Sequence, residues 1–416
     1  MIEIEIVGID WGRKFHYCYF LNAKKKLVIK NKEEEFVKLL KVKDAVFAIE
    51  DSNNRIVDYL VNYERTVNVI SSKKSKEARK YHVTEGKSDQ IDSIAIAKTY
   101  RDNPGWFNPV KREGISLELG TLLGEYTELN KTATQDLGRL DAKLERYWPE
   151  VKEIFNYSTT RTLGFLTICP TAKDFLCLTD KEIIKKMKEL HFKVDSFFRK
   201  GLKKLRNSLK AREVPKSVRR SILRLSQYAM EKKLLKSEIK KELKTILKKS
   251  KYKVILTIPG INVMAGSLLV VAFLTHRFVT FRDFQKYAGT TPVYYGSGQK
   301  TFTKMRYNCN HYLRGILHMA MMSSIKKSSW MRTYYLKKKN EGKKHALALR
   351  ALANIILKIA FAMLRDLTPY SEELYNNRNS NNNYTSKVNN FSEKGGVKKS
   401  ERSLKALPDA TCQPPG

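Results

Sequence analysis

Carboxylates are scarce where the chain is most basic: between residues 251 and 370 only Asp283, Glu341 and Asp366 are acidic, against a net charge of +17 there. A surface with so few acids is not an ordinary interspersed one. Cysteine is also sparse. Cys18, Cys169, Cys177, Cys309 and Cys412 make an odd set of five without a C-x-x-C pair, which argues against a disulfide framework and against a zinc knuckle. No G-x-x-x-x-G-K-[ST] occurs, so a Walker-type phosphate loop is absent. No uninterrupted apolar run approaches the roughly 18 residues of a membrane span. The best candidate, 261–274, contains Asn262 and Ser267. The first residues, with Glu3, Glu5 and Asp10, lack the basic region and apolar core of a secretory leader. A cytoplasmic location is expected.

What is present is charge. The 416 residues carry 80 Lys and Arg against 42 Asp and Glu, a net +38, while 42% hydrophobic residues supply enough apolar chain for real cores and exclude an all-disordered chain. The excess is uneven: +4 for residues 1–110, +15 for 111–250, +17 for 251–370 and +2 for 371–416. A polyanion is the natural partner of two such segments, and nucleic acid is the leading one. A solvated basic face or a patch beside anionic lipid are the bland alternatives, and neither explains the sharp differences between segments.

Residues 1–110 alternate short strands and helices. Period-two alternation in 2–7, aromatic residues in 15–21 and the apolar 27–29 predict three strands. A helix at 32–40, a strand at 45–49, a helix at 55–63, a strand at 66–70 and a helix at 88–100 follow, which makes an α/β domain. This order is similar to that of the ribonuclease H-like fold. Residues 111–250 read as long amphipathic helices with basic outer faces, coiled-coil-like, and Pro149 interrupts them. Residues 251–370 form a second, mainly α unit with apolar runs at 266–274 and 346–364, and the Asn-rich text of 371–416 is expected to be a disordered tail.

Two constellations bear chemistry. Asp10 and Glu50 each follow an apolar strand, while Asp89 and Asp92 stand three apart at a helix start and share one face. Helix capping accounts for such aspartates as well. Four converging carboxylates would repel one another without cations between them, and an all-oxygen set suits Mg²⁺ or Mn²⁺ in phosphoryl transfer. Asp51 adjoins Glu50 but would point to the opposite side of its strand. In the C-terminal unit, Leu256-Thr-Ile-Pro-Gly-Ile261 before an apolar helix reads as a turn, or as a hairpin whose Gly260 lets backbone amides approach a phosphate. Ser297 lies between Gly296 and Gly298, either in an ordinary loop or as a freely placed nucleophile, and Lys304, Arg306, Asn310 and Arg314 follow.

Taken together, the chain resembles the DEDD-type insertion-sequence transposases that carry a serine in the C-terminal domain, relatives of the Piv DNA invertases and in some members guided by a bridge RNA. The resemblance rests on Val7-Gly-Ile-Asp10, Ile49-Glu50-Asp-Ser52 and Lys87-Ser-Asp89-Gln-Ile-Asp92. Downstream it rests on Ile258-Pro-Gly260, Arg282 to Pro292, Ser297-Gly298 and Asn310-x-x-Leu-Arg314, all in the family's order. It covers residues 1 to about 366. Cys309 departs from it, standing where the family usually has Gly. The resemblance implies a RuvC-like domain whose metal-binding tetrad is Asp10, Glu50, Asp89 and Asp92, with Mg²⁺ or Mn²⁺ as cofactor and Ser297 as catalytic serine. It also implies double-stranded DNA and a structured guide RNA as partners, a composite site in a homo-oligomer, and work at the nucleoid of a prokaryotic cell. Excision and insertion by strand exchange through a phosphoserine is the first reading. A RuvC-like junction nuclease that uses water, and an inactive nucleic-acid-binding remnant, are the alternatives.

Overall fold

In a computed structural model of the chain, the described residues are 4–51, 54–82, 88–110, 114–208, 213–276, 278–297 and 300–373. The expected disordered tail falls, from residue 374 on, outside them. The first elements are β1 (Glu5–Trp11), β2 (Phe15–Phe20), β3 (Lys25–Lys30), α1 (Glu33–Leu40), β4 (Ala45–Ile49), α2 (Arg55–Asn62) and β5 (Thr66–Ile70). After these come α3 (Ser72–His82), α4 (Asp89–Asp102) and β6 (Phe107–Pro109). They build a mixed six-stranded sheet in the order β3-β2-β1-β4-β5-β6. The first three strands pair antiparallel, and β1, β4 and β5 run parallel. All five anticipated strands and the anticipated helices are present. Helix α3 and the short edge strand β6 were not foreseen: α3 is so rich in Lys and Arg that it offers almost no apolar face.

Alternation along the strands sends side chains to two different layers. Val7, Ile9, Phe47 and Ile49 face one side, where they bury Phe36 and Leu39 of α1 and Ile56, Val57 and Leu60 of α2. Gly8 and Ala48 face the other side, toward α4, where Ala48, Ile70, Ile96 and Phe107 form a smaller core. A Cβ on Gly8 would stand 2.2 Å from the Ser93 carbonyl oxygen and 2.6 Å from the Ala97 amide nitrogen, so α4 lies directly on the backbone of β1. The glycine is required by that approach.

The middle segment opens with α5 (Ile115–Tyr147), 33 residues long, and closes with α11 (Lys216–Lys249), 34 residues long. These two helices pair antiparallel. Lys232 Nζ reaches Asp136 at 2.5 Å, Lys236 Nζ reaches Asn130 at 2.5 Å, and Lys236 and Lys240 lie over the Tyr126 ring. Part of the lysine content of α11 is therefore turned inward against α5 and does not belong to an outer basic face. Between them sit α6 (Pro149–Ile154), α7 (Thr160–Ile168), α8 (Ala172–Leu176), α9 (Asp180–Glu189) and α10 (Ser196–Ser208). These short helices wrap Trp148, Phe155, Phe165, Phe175 and Phe198 into an aromatic core with rings 5.3–6.2 Å apart. The expected coiled-coil-like middle is thus an antiparallel pair of long helices carrying a compact helical unit.

The C-terminal unit contains a 3₁₀ turn at Lys251–Thr257, α12 (Val263–Thr275), α13 (Phe281–Tyr287), the hairpin β7 (Val293–Ser297) and β8 (Lys300–Lys304), α14 (His311–Lys327), α15 (Ser329–Asn340) and α16 (His345–Asp366). Helix α16 is long and apolar enough to cross a membrane by length and composition. Arg350 and Lys358 interrupt its apolar text, which hid this from a search for uninterrupted runs. Here it serves as a core helix, burying Leu349, Leu352, Ile356, Leu357 and Met363.

Candidate carboxylate centre and basic hairpin

Asp10 lies near the end of β1 on the same face as Gly8, and Glu50 follows β4 on the face of Ala48. The parallel register pairs Ile9 with Ile49, so the two carboxylates emerge side by side from adjacent strand ends. The N-cap of α4 is Ser88, whose hydroxyl accepts from the Ile91 amide at 3.3 Å. With the cap supplied by Ser88, Asp89 is left to face the strand ends.

The electrostatics record this convergence. Burial, then the charges of Asp89 and Glu50, push the Asp10 carboxyl up to about 6 from the usual carboxylate range, and Arg79 opposes the shift. Asp92 stands apart from that trio. One of its carboxylate oxygens is paired with Arg79 of α3, and the other, Oδ1, is buried without a hydrogen-bond partner among the described residues. One turn earlier on α3, the Ser75 hydroxyl donates to Glu50 Oε2 at 3.0 Å. Helix α3 thus carries two residues, four apart on one face, that hold two of the four acids. Sequence reading missed both, and the only available signal was a basic helix between the second and third acidic motifs. Asp51 is exposed, whereas Glu50 is half-buried.

The donor set is all oxygen, which suits a hard divalent cation. A carboxyl raised by burial and then by its acidic neighbours, and an orphaned Asp92 oxygen, both suit a nearby positive charge. Among the described residues, however, no three ligand-type side chains stand close enough together to hold one ion. Arg79 is the cation that the fourth carboxylate has in its place. Because ligand carboxylates must be ionised, protons would compete with any metal held by Asp10. Apparent affinity for Mn²⁺, measured by calorimetry, is expected to be about tenfold weaker at pH 5 than at pH 7.

In the C-terminal unit, Ser297 ends β7, with its backbone paired to Lys300 across the hairpin. Its side chain, and residues 298–299, are outside what the structure describes. The hairpin exposes Tyr294, Tyr295 and Phe302, with Tyr295 and Phe302 stacked at 5.4 Å and Lys304 Nζ above both rings at 5.5 and 5.3 Å. Arg306 turns its Nε inward, buried and without a hydrogen-bond partner among the described residues.

Two residues expected to meet nucleic acid have structural work. Asn310 is the N-cap of α14: its Oδ1 accepts from the Leu313 amide at 2.9 Å and its Nδ2 donates to the Tyr287 hydroxyl at 2.9 Å. Asn310→Ala is expected to lower stability by about 1–2 kcal/mol in denaturant melts while leaving the salt dependence of DNA binding unchanged. Gly260, at φ +88°, is buried against α14, where a Cβ would stand 2.2 Å from Ser324 Oγ and 2.5 Å from its amide nitrogen. The close approach this glycine permits is to a helix. Ser324 seals it by donating to the Pro259 carbonyl at 2.7 Å. Gly289, at φ +69°, is likewise filled from below by Cys309, whose Sγ would meet its Cβ at 2.4 Å. The departure at Cys309 is therefore accommodated, with the cap of α14 intact.

The sequence pattern of a DEDD transposase domain of the IS110 kind matches residues 7–149, and that of the Transposase IS116/IS110/IS902 family matches residues 252–336. Both matches are to transposases, the first in the N-terminal third of the chain and the second in its C-terminal part. Among curated relatives, the uncharacterized 42 kDa protein of insertion element IS900 from Mycobacterium paratuberculosis is 34% identical over 122 residues, 28% of this chain and 30% of the relative. The uncharacterized 44.8 kDa protein of insertion element IS116 from Streptomyces clavuligerus is 37% identical over 81 residues, 19% and 20% of the two chains. The chain thus aligns with less than a third of either relative's length.

Proposed function

We propose that this protein cuts DNA at the ends of its insertion element and at a target and rejoins them, with Ser297 as the attacking group. The observation that carries the reading is the placement of Asp10 and Glu50 at adjacent strand ends with Asp89 near them, where burial and then the charges of Asp89 and Glu50 raise the Asp10 carboxyl to about 6, in a chain of net charge +38. That pattern is a cost to folding and has value only where cationic or phosphoryl chemistry takes place.

In the reaction, the Ser297 oxygen bonds to phosphorus, the ester bond to one deoxyribose oxygen breaks, the serine proton is lost and the released DNA end takes one up. A serine hydroxyl is weak toward a phosphodiester because negative charge builds on the phosphate oxygens. Lys304, Arg306 and Arg314 neutralise phosphate oxygens of the bound DNA. Asp10, Glu50, Asp89 and Asp92 would hold Mg²⁺ or Mn²⁺, which when bound supplies charge neutralisation and lowers the barrier to deprotonating the nucleophile. Ser75 orients Glu50, and Arg79 holds Asp92 near the cluster. The phosphoserine retains the ester bond energy, so the hydroxyl of a second DNA end can reverse the step without ATP.

The ribonuclease H-like character of the first domain, the pairing of one subunit's carboxylates with another's Ser297 in a homo-oligomer, and a structured guide RNA along the basic middle segment belong to the same proposal. So does a cytoplasmic, nucleoid-associated location. Exposed Tyr294, Tyr295 and Phe302 beside Lys304 supply stacking surface for bases. The test incubates the full chain with element-end DNA, adjacent transcribed RNA and Mg²⁺. Covalent protein–DNA product should appear with the wild type and vanish with Ser297→Ala, and omission of the RNA decides guidance. Cleavage that survives Ser297→Ala but not Asp10→Ala would replace this reading with the water-using nuclease.

A further inference from the structure

We infer that a cleft at the base of the β7–β8 hairpin, between α14 and α16, is an anion pocket that grips a DNA backbone phosphate, with Arg350, His311 and His318 joining Arg314. The cleft has a volume of about 290 Å³ and is lined by these four side chains with Thr290 and Gly315, over an apolar floor of Leu317, Leu349 and Ala353. His311, Arg314 and His318 recur at spacings of three and four, so α14 presents them as one stripe. Arg350 reaches in from α16.

The cations of this cleft are not there to neutralise acids. The three carboxylates between residues 251 and 370 are each engaged elsewhere, close in sequence: Asp283 with Thr280 and Lys286, Glu341 with Lys338 and Lys343, and Asp366 with Arg365. Among the described residues neither Arg314 nor Arg350 makes an ion pair. Arg314 donates to the Arg306 carbonyl oxygen at 2.9 Å and contacts His311 Nδ1 at 2.9 Å, and Arg350 donates to Met305 Sδ at 3.2 Å. A thioether is a poor acceptor for a guanidinium. Burial and the Arg314 charge hold the Arg350 guanidinium below its usual value, and burial followed by His345 and Arg350 does the same to the His318 imidazole. Two partly buried guanidiniums whose partners are a carbonyl, an imidazole and sulfur atoms have no anion among the described residues, and a phosphodiester suits the planar fork of arginine.

The location says which phosphate. Thr290 precedes β7 and Met305 follows β8, so the cleft adjoins the hairpin's root while Ser297 stands at its far end. A five-residue strand spans about 14 Å, which is on the order of four nucleotides along B-form DNA. The pocket therefore anchors a phosphate flanking the one that Ser297 attacks, an assignment that rests on the proposed function. A Cβ at Gly315 would meet nothing within 4 Å, so a larger side chain can be placed on this edge of the cleft without a clash at its first carbon.

Two variants of the full chain test this. Arg350→Met removes the charge and keeps the length, and Gly315→Leu fills the mouth and leaves every charge in place. Each should weaken binding of an element-end duplex about tenfold near 0.15 M salt and reduce the slope of log affinity against log salt by about one. Neither should lower the melting temperature, because a crowded cation or a helical glycine is removed. Millimolar inorganic phosphate should raise the melting temperature of the wild type and of Asp10→Asn, but not of Arg350→Met. Unchanged slopes, equal stabilisation of Arg350→Met by phosphate, or a loss confined to RNA binding would each overturn the pocket. Loss of strand cutting alone bears on the proposed function and leaves the phosphate-ion result standing, which separates the two failures.

Discussion

Asp10→Asn is expected to abolish strand cutting, by a thousandfold or more, and to make the metal-free protein more stable. Both effects have one source. The folded protein raises the Asp10 carboxyl from 3.8 to about 6, so the native state binds the proton more tightly than the unfolded chain does. For a raised carboxyl, the cost to folding is absent below about pH 4, grows as pH rises through 4 to 6, and is full above 6. Two units correspond to about 3 kcal/mol at most. Partial exposure of the group screens this to on the order of 1 kcal/mol. Asparagine removes the charge, so the variant should melt a few degrees higher at pH 7.5 without divalent cation, and the gain should disappear near pH 4. Mn²⁺ should stabilise the wild type and not the variant. Calorimetric scans at the two pH values, with and without metal, check each part. A variant less stable than the wild type at pH 7.5 would show that Asp10 is a structural partner and not part of a strained charge cluster.

Gly8→Ala is expected to have the larger effect on the fold. The added methyl would stand 2.2 Å from the Ser93 carbonyl oxygen and 2.6 Å from the Ala97 amide nitrogen, both backbone atoms of α4. No rotamer relieves a Cβ, so the helix must lift from β1. The cost should be about 3 kcal/mol or more, at the upper end for overpacking. For a domain of this size that lowers the melting temperature by more than ten degrees. The lift also moves Asp89 away from Asp10, so the Asp10 pKa should fall back toward the ordinary range. Carbonyl-labelled aspartate followed by NMR across pH 3–8 reads that directly. The glycine of the first acidic motif thus sets the distance between the first and third acids.

Much of the first domain was legible in the sequence because its strands alternate cleanly. Strands β4 and β5 fall at the residues expected from their apolar runs, with the acids Asp10 and Glu50 at the ends those runs imply. Helix α3 was not legible: its stability comes from ion pairing and from packing beside α4, neither of which leaves a periodic apolar signal. Ser75 and Arg79 were hidden for the same reason. The aromatic unit around Trp148 was missed because its helices are five to thirteen residues long, too short for periodicity to register. Asn310 and Gly260 lie within motifs of the family resemblance, yet their hydrogen bonds and close contacts are to this chain itself. A shared motif identifies residues under constraint and does not say whether the constraint is packing or contact with DNA. Arg350 shows the reverse: it sits in an apolar run, where one arginine reads as an interruption, and only its placement opposite Arg314 gives it a role.

The most direct test of the account is to locate the bond between protein and DNA. The full chain, element-end DNA, the adjacent transcript and Mg²⁺ are incubated, the DNA is trimmed with nuclease, and peptides are mapped by mass spectrometry. The account predicts a nucleotide phosphate on the peptide containing Ser297, absent in Asp10→Asn. Cut DNA with every Ser297 peptide unmodified, or the phosphate on another residue, would contradict it.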